Sequence, residues 1–579
     1  MNFKGTHAMP NSTASTASTG LLPQHYDAIV VGAGLSGLYM LHRLRGLRLK
    51  ARVFEAGSGV GGTWFWNRYP GARCDVDSLE YSYSFSNDLQ QAWRWPERYG
   101  TQAEIQKYLD HVADRFDLRR DIQFNTRVRT ASFDPTANAW TLTTEHGDVI
   151  TAPFCVMATG NLSTPSVPAF KGLDRFRGRW YHSGRWPAEP VDFTGQRVGV
   201  IGTGSSGIQM VPVIARQAKH LHVFQRTANY SVPARNGPLD PEVERAHKAT
   251  YVERRLGAHF SGYGVAGLAP YPMSALDATP EQRRAHYEAK WNEGGPFAFL
   301  FAYNDMLTNQ ASNDTLAEFV REKVRSIVKD PVVAELLAPK DYPIGAKRLC
   351  VDTDYYETFN RENVTLVDVK GAPIVEITER GIRTTKTEYE LDAIAFATGF
   401  DAMTGALREI DIRVQGGMTL ADKWSAGPLT YLGLMVAGFP NLFIVTGPGS
   451  PSVKGQMTVS IEQHVDWIAD CLTHLRTRGL ARIEADREAE AKWVAHVNDV
   501  ASATLFAAVD SWYTGSNIPG KPRVFMPYIG GMGNYRRKCD EVASRGYEGF
   551  VLMRRIEPAI AKGGGVPLAA APMHRSEAA

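Results

Sequence analysis

Two glycine signatures of the form Gly-x-Gly-x-x-Gly dominate the 579-residue sequence, each sitting between an apolar run and a stretch of helical periodicity. In the first, Tyr26 to Val31 reads as a short strand, Gly32, Gly34 and Gly37 follow at once, and Leu38, Leu41 and Leu44 continue with helical spacing. Such a strand, turn and helix predict a dinucleotide cradle: the first glycine turns the chain, the second admits a pyrophosphate, and the third lets helix approach strand. The next apolar run, Ala51 to Phe54, ends on Glu55, where a carboxylate can take ribose hydroxyls and would repel a phosphorylated ribose. In the second signature Val198 to Ile201 leads into Gly202, Gly204, Ser205, Ser206 and Gly207, but the following strand ends on Gln225-Arg226-Thr227. An arginine's fork of donors suits a 2′-phosphate, so Arg226 and Thr227 point to NADP(H). A single such pattern is an ordinary glycine turn often enough; two complete ones predict an α/β fold with two Rossmann-like domains.

Composition removes several other functions. A net charge of +3 with no dense basic run gives nucleic acid no footprint. The most apolar stretch, Leu432 to Val445, is broken by Pro440 and Asn441 and reads as a buried strand and turn rather than a membrane span. Five scattered cysteines include no Cys-x-x-Cys, which removes a dithiol redox centre, and their odd number suits a reducing, cytoplasmic setting. No metal-ligand motif is present, and no metal is expected.

Two further apolar runs, Phe154 to Ala158 and Ala393 to Ala397, each followed by Thr-Gly, read as strands that bracket the second nucleotide unit. The predicted organisation is an FAD domain from 23–160 and 391–555, interrupted by an NADP domain from 161–235 and 340–390. A helical insertion over 236–339, rich in Ala, Glu and Arg, is expected to cover a cleft. Residues 1–22 and 556–579 read as flexible tails.

The segment between the two signatures identifies a family. Phe176, Gly178, His182, Trp186 and Pro187 form Phe-x-Gly-x-x-x-His-x-x-x-Trp-Pro, which resembles the fingerprint of type I Baeyer–Villiger monooxygenases. A second pattern, Gly61-Gly62-x-Trp64 followed by Tyr69-Pro70-Gly71 and Asp75, is also complete. The surroundings most resemble the phenylacetone and steroid monooxygenases of that family.

The resemblance implies FAD and NADPH as cofactors, O2 and a small-molecule ketone as substrates, and ester or lactone formation through a C4a-peroxyflavin. It implies a monomer or weak homo-oligomer, free of nucleic acid and membrane. Thr63, Trp64 and Tyr81 would lie near FAD, Lys347 near the 2′-phosphate, and Arg348 with Asp75 at the flavin as the catalytic pair. A strand was the expected setting for Lys347 and Arg348, sending neighbours to opposite faces. For Asp75 a helix cap is the plainer alternative, since Val-Asp-Ser-Leu-Glu follows. His182 and Trp186, in a linker, are expected to convey domain motion rather than protons. Trp512 lies in a segment that resembles a mobile active-site loop, and Ser452, Val453, Lys454 and Met457 fall where the family lines its substrate pocket. An N- or S-oxygenating flavin monooxygenase, or a nucleotide-binding flavoprotein without turnover, are the alternative functions.

Overall fold

The computed structural model describes residues 24–554, so the two expected tails, 1–22 and 556–579, lie wholly outside the described residues. Ala28–Val31, Ala51–Phe54, Ile122–Gln123, Phe154–Met157 and Leu442–Ile444 form one parallel sheet, ordered with Ala28–Val31 at its centre. Each of its three central strands is too apolar to face water on either side, and the sheet is covered accordingly. On one face lies the helix Leu35–Gly46, whose Leu38, Leu41 and Leu44 pack into a core shared with Ile461, Val465 and Ile468 of the helix Met457–Thr477. The run through Leu432 and Val445 thus ends in a buried strand, as its composition predicts.

The second sheet is also parallel: Val364–Asp368, His220–Gln225, Arg197–Ile201, Ala393–Phe396 and Arg179–His182. This corrects the expected boundary at residue 391. Ala393–Phe396 pairs with Arg197–Ile201 on one side and Arg179–His182 on the other, so it closes the second unit instead of returning the chain to the first. An apolar run of four looks the same in either sheet, and only the pairing decides. Nor is the fingerprint segment simply a linker: Arg179–His182 is the edge strand, with His182 paired to Phe396.

The insertion is helical, as expected. Pro280–Glu293 starts from a Thr279–Gln282 capping box with proline in the first turn, and Gln310–Ile327 starts from Asn309, which accepts from two backbone N–H groups. Tyr287, Trp291, Phe299, Leu316 and Phe319 form its core together with Ile344 and Leu349 from the returning chain. It therefore supports the stretch that carries Lys347 and Arg348. Among the described residues no helix is long and apolar enough to cross a membrane.

Candidate active site

Gly32 has φ +103°, and a Cβ there would lie 2.5 Å from the Ala158 carbonyl oxygen, so only glycine serves. The helix after it starts at Gly34 with no side-chain cap, leaving its first N–H groups free for an anion. Gly37 brings the same helix against the strand end: a Cβ would lie 1.8 Å from the Gly32 oxygen. Glu55 is fixed by two backbone donors, Ala33 N–H at 2.7 Å and Gly57 N–H at 2.7 Å. Burial raises its pKa, and those two hydrogen bonds oppose the rise. Thr63 and Trp64 lie on the one-turn helix Thr63–Trp66, where the Trp64 indole donates to the Tyr81 hydroxyl at 3.1 Å. Gly32, Gly34, Glu55, Thr63, Trp64 and Tyr81 line one cavity of about 380 Å³.

The second cradle opens into the same cavity through Ser205 and Ser206. The helix Ser205–Gln217 again starts without a side-chain cap, at Gly204, and a Cβ on Gly207 would lie 2.1 Å from the Gly202 oxygen. At the end of the neighbouring strand Arg226 is exposed, and the Thr227 carbonyl accepts from the Thr203 hydroxyl at 3.0 Å. Lys347 lies with its Nζ 4.4 Å from the centre of the Tyr342 ring. Burial lowers its pKa, and the positive charge of Arg226 lowers it further. Lys347 thus lies within electrostatic reach of Arg226, 121 positions away in sequence, an arrangement that suits a doubly charged phosphate.

Arg348 and Asp75 meet at the cavity wall. The Arg348 Nε and Nη2 donate to the two carboxylate oxygens at 2.8 and 2.6 Å, and Nη1 donates to the Val453 carbonyl at 2.9 Å. Burial opposes the guanidinium charge, but Asp75 and the neighbouring Tyr513 more than restore it and raise its pKa. Arg348 follows a turn, not a strand as expected. What sets its direction is Asn313 of the insertion, whose side chain donates to the Ile344 carbonyl at 2.8 Å and accepts from the Ile344 N–H at 2.9 Å. Asp75 does not cap a helix; the residues after it form a turn, and its carboxylate is spent on Arg348.

The second pattern docks one unit on the other. Tyr69 donates to Gln209 at 2.8 Å, Gln209 donates to the Arg73 carbonyl at 3.0 Å, and Gly71 lies so close to the helix Ser205–Gln217 that a Cβ would be 2.3 Å from the Gln209 oxygen. Trp186 is buried with Tyr69 and Ala72 in the core of the second unit, its ring tilted against that of Tyr181 with centres 5.1 Å apart. His182 has both ring nitrogens engaged: Nδ1 accepts from Gly184 N–H at 3.0 Å and Nε2 lies 3.3 Å from the Thr398 hydroxyl. Burial lowers its pKa to about 4, so it is neutral at neutral pH. It stands outside the cavity lining, as do Ser452 and Lys454.

Of the four residues expected at the substrate pocket, Val453 and Met457 line this cavity and Ser452 and Lys454 do not. Ser452 is turned toward Asn161, which donates to its hydroxyl at 2.7 Å. Lys454 instead rests over the Phe506 and Tyr513 rings, 3.6 and 4.5 Å from their centres, and burial pushes its pKa well down. Trp512 does reach the cavity, from the short helix Trp512–Thr514. Sequence reasoning passed over Arg185, which lines the cavity and stacks 4.5 Å above Trp66, although it lies inside the fingerprint.

Comparison with known proteins decides the lineage. The flavin-binding monooxygenase-like family matches residues 26–237. A Baeyer–Villiger monooxygenase of Pseudooceanicola batsensis is 44% identical over 547 residues, covering 94% of this chain and 99% of that protein. This chain belongs to the type I Baeyer–Villiger monooxygenases. A solved oxidized steroid monooxygenase bound to NADP is 55% identical, with a TM-score of 0.88 over 92% of this chain and 100% of that one. A phenazine N-monooxygenase of Lysobacter antibioticus is 42% identical, covering 91% of this chain and 97% of that protein. The Baeyer–Villiger fold therefore carries both the fingerprint and the Arg348–Asp75 pair in this chain.

Proposed function

We propose that this chain is an FAD- and NADPH-dependent monooxygenase that uses O2 to convert aryl, cyclic or steroid-like ketones to esters or lactones. The observation that carries this reading is the Arg348–Asp75 fork, set in the wall of one cavity onto which both glycine cradles open. The residues fit the cofactors. Gly32, Gly34 and the free N-terminus of Leu35–Gly46 form a cradle for the FAD pyrophosphate, and the fixed Glu55 carboxylate is placed for ribose hydroxyls. Gly202, Gly204 and the uncapped helix Ser205–Gln217 repeat the cradle for NADPH, whose 2′-phosphate would meet Arg226 and Lys347.

Bound there, FAD supplies the activation of oxygen and NADPH the hydride. The chain's own residues then have three tasks. Arg348 keeps its charge and releases no proton near neutral pH, so it stabilises negative charge growing on the ketone oxygen without quenching it. Asp75 orients the guanidinium by its two-point contact. Trp512, Val453 and Met457 wall the cavity against water. His182 and Trp186 act at the joint between units, not on bonds. Five free, buried cysteines are in keeping with a cytoplasmic enzyme.

The test is product analysis. Purified holoenzyme with NADPH and 18O2 should turn members of a ketone panel into esters or lactones carrying one labelled oxygen. Oxidation of amines or phenazines with no ester or lactone from any ketone would transfer the chain to the N-oxygenating branch.

A further inference from the structure

Trp512 and Tyr513 reach the site from a segment, Ser511 to Lys521, with little regular structure of its own. Trp512–Thr514 is a single turn, and five backbone hydrogen bonds hold its shape, Thr514 and Ser516 N–H to the Ser511 oxygen, Gly515 N–H to the Trp512 oxygen, Ile518 N–H to the Gly515 oxygen and Lys521 N–H to the Ile518 oxygen, while the Met526 and Val524 N–H groups donate to the Tyr513 and Thr514 oxygens from the chain that follows. Its position therefore has to come from anchors outside it. At its far end the Lys521 ammonium bonds the Asp401 carboxylate and, at 2.9 Å, the Ala402 carbonyl. The Lys521 side chain is 4% exposed and that of Asp401 21%. Asn517 donates to the Phe400 carbonyl at 2.8 Å. Both anchors thus grip residues 400–402, the stretch that leaves the second sheet after Ala393–Phe396.

The fingerprint histidine touches that stretch from the other side. The Phe400 ring stands edge-on to the His182 ring, centres 6.0 Å apart, and Thr398 lies at hydrogen-bond distance from His182. Gly184 is packed so tightly on Phe400 that a Cβ would lie 2.4 Å from its ring. Phe400 itself lines the cavity. A shift of the fingerprint strand is hence passed to Phe400 and Asp401 by contact, and from there to Lys521 by an ion pair that burial makes costly to leave half-made.

We infer that Lys521 is a positioning residue: its pair with Asp401 ties the Trp512–Tyr513 segment to the joint that His182 occupies, so that the segment walls the cavity only while the joint is in register. The inference rests on the functional reading above for its link to oxygenation, while the tie itself is a property of this chain alone. Lys454 packs over the Phe506 and Tyr513 rings at the near end.

The test compares Lys521→Met, Asp401→Asn and Lys521→Arg in full-length holoenzyme, with FAD content and melting temperature confirming the fold. Hydrogen exchange of the Thr514, Gly515 and Ser516 amides should quicken about tenfold or more in the Met and Asn variants, as local opening becomes easier, and stay near wild type in the Arg variant. In the same two variants NADPH-driven flavin reduction should persist while the share of NADPH ending as hydrogen peroxide rises severalfold. Unchanged exchange in both variants overturns the tie, and quickened exchange with unchanged peroxide overturns its role in positioning. Should Lys521→Met fail to fold, Asp401→Asn against Lys521→Arg decides alone. Absence of esters and lactones from the wild type would sink the functional reading only, because the exchange result stands without it.

Discussion

Removing both halves of the Arg348–Asp75 pair should do less damage than the two single removals added together. Arg348→Ala deletes two short charge-assisted bonds to Asp75 and one bond to the Val453 carbonyl. It leaves behind a carboxylate whose side chain is only 19% exposed, in place of a pair in which arginine is 30% exposed. A fully buried pair broken on one side costs about 3–5 kcal/mol and an exposed one below about 1, so this cavity-wall pair should cost roughly 2–3 kcal/mol. For a chain of this length that corresponds to a fall of about 2 °C in melting temperature. Asp75→Ala should cost a similar amount, since the guanidinium then keeps only the Val453 carbonyl. The double variant abolishes the stranded charge, so its loss should fall short of the sum of the two single losses by about 1–2 kcal/mol. Activity should separate the partners. Arg348→Ala should lose about 10²–10³ of ketone oxygenation while still oxidising NADPH, with oxygen leaving as peroxide. Asp75→Ala, which loosens the arginine without removing it, should lose about 10–100-fold. Thermal melts of the four proteins, with peroxide and product measured side by side, make the comparison. Strict additivity of the melts, or an Arg348→Ala enzyme that oxygenates ketones at the wild-type rate, would refute the reasoning.

Two other predictions follow from single sites. Arg226→Ala should raise KM for NADPH by about 10–100-fold and leave that for NADH nearly unchanged, because only the former carries a 2′-phosphate; equal changes in steady-state assays with the two nucleotides would rule out the site. Asp352 is lifted by burial from its ordinary 3.8 to about 7, with Ser231 and the Tyr355 N–H opposing. The folded chain therefore holds this proton more tightly than the unfolded one, and the contribution to stability, full below about pH 4, fades as pH rises through 7. Asp352→Asn should flatten that decline between about pH 4 and 7 and be the more stable protein at pH 8, by at most about 4 kcal/mol, and melts showing the same slope in both proteins would discard the assignment.

How much of this was legible in the sequence depended on how local each cause is. The glycines were readable because what Gly32, Gly37 and Gly207 must avoid is backbone within a few residues or in the adjacent strand. Glu55 and Arg226 were readable because strand length fixes where each falls. Ala393–Phe396 was misplaced because its apolarity says that it is buried between strands but not which ones. Ser452 and Lys454 were assigned to the pocket by neighbourhood alone, whereas a turn with Ser452 at φ +44° sends adjacent side chains to unrelated places, one to Asn161 and the other onto Phe506.

The insertion shows the limit most clearly. It reads from composition as helices that cover a cleft, and helices they are, yet beside the apolar packing on Ile344 and Leu349 the site takes from them one asparagine. Asn313 holds the Ile344 amide by both its donor and its acceptor, with the side chain fully buried. Pro343 to Ala346 form only a turn, with Gly345 at φ +85°, so nothing in the local sequence fixes where Arg348 points. A buried two-bond clamp four residues before the arginine does fix it, because swinging the turn would strand two backbone groups and an amide in an apolar core. The geometry at Arg348 therefore depends on three parts of the chain at once: Asp75 beside the first cradle, Arg348 where the chain returns to the second unit, and Asn313 in the insertion. That dependence explains why the helices interrupt the second unit just ahead of Lys347 and Arg348 rather than elsewhere: the residues they steady are the ones at which the chain returns.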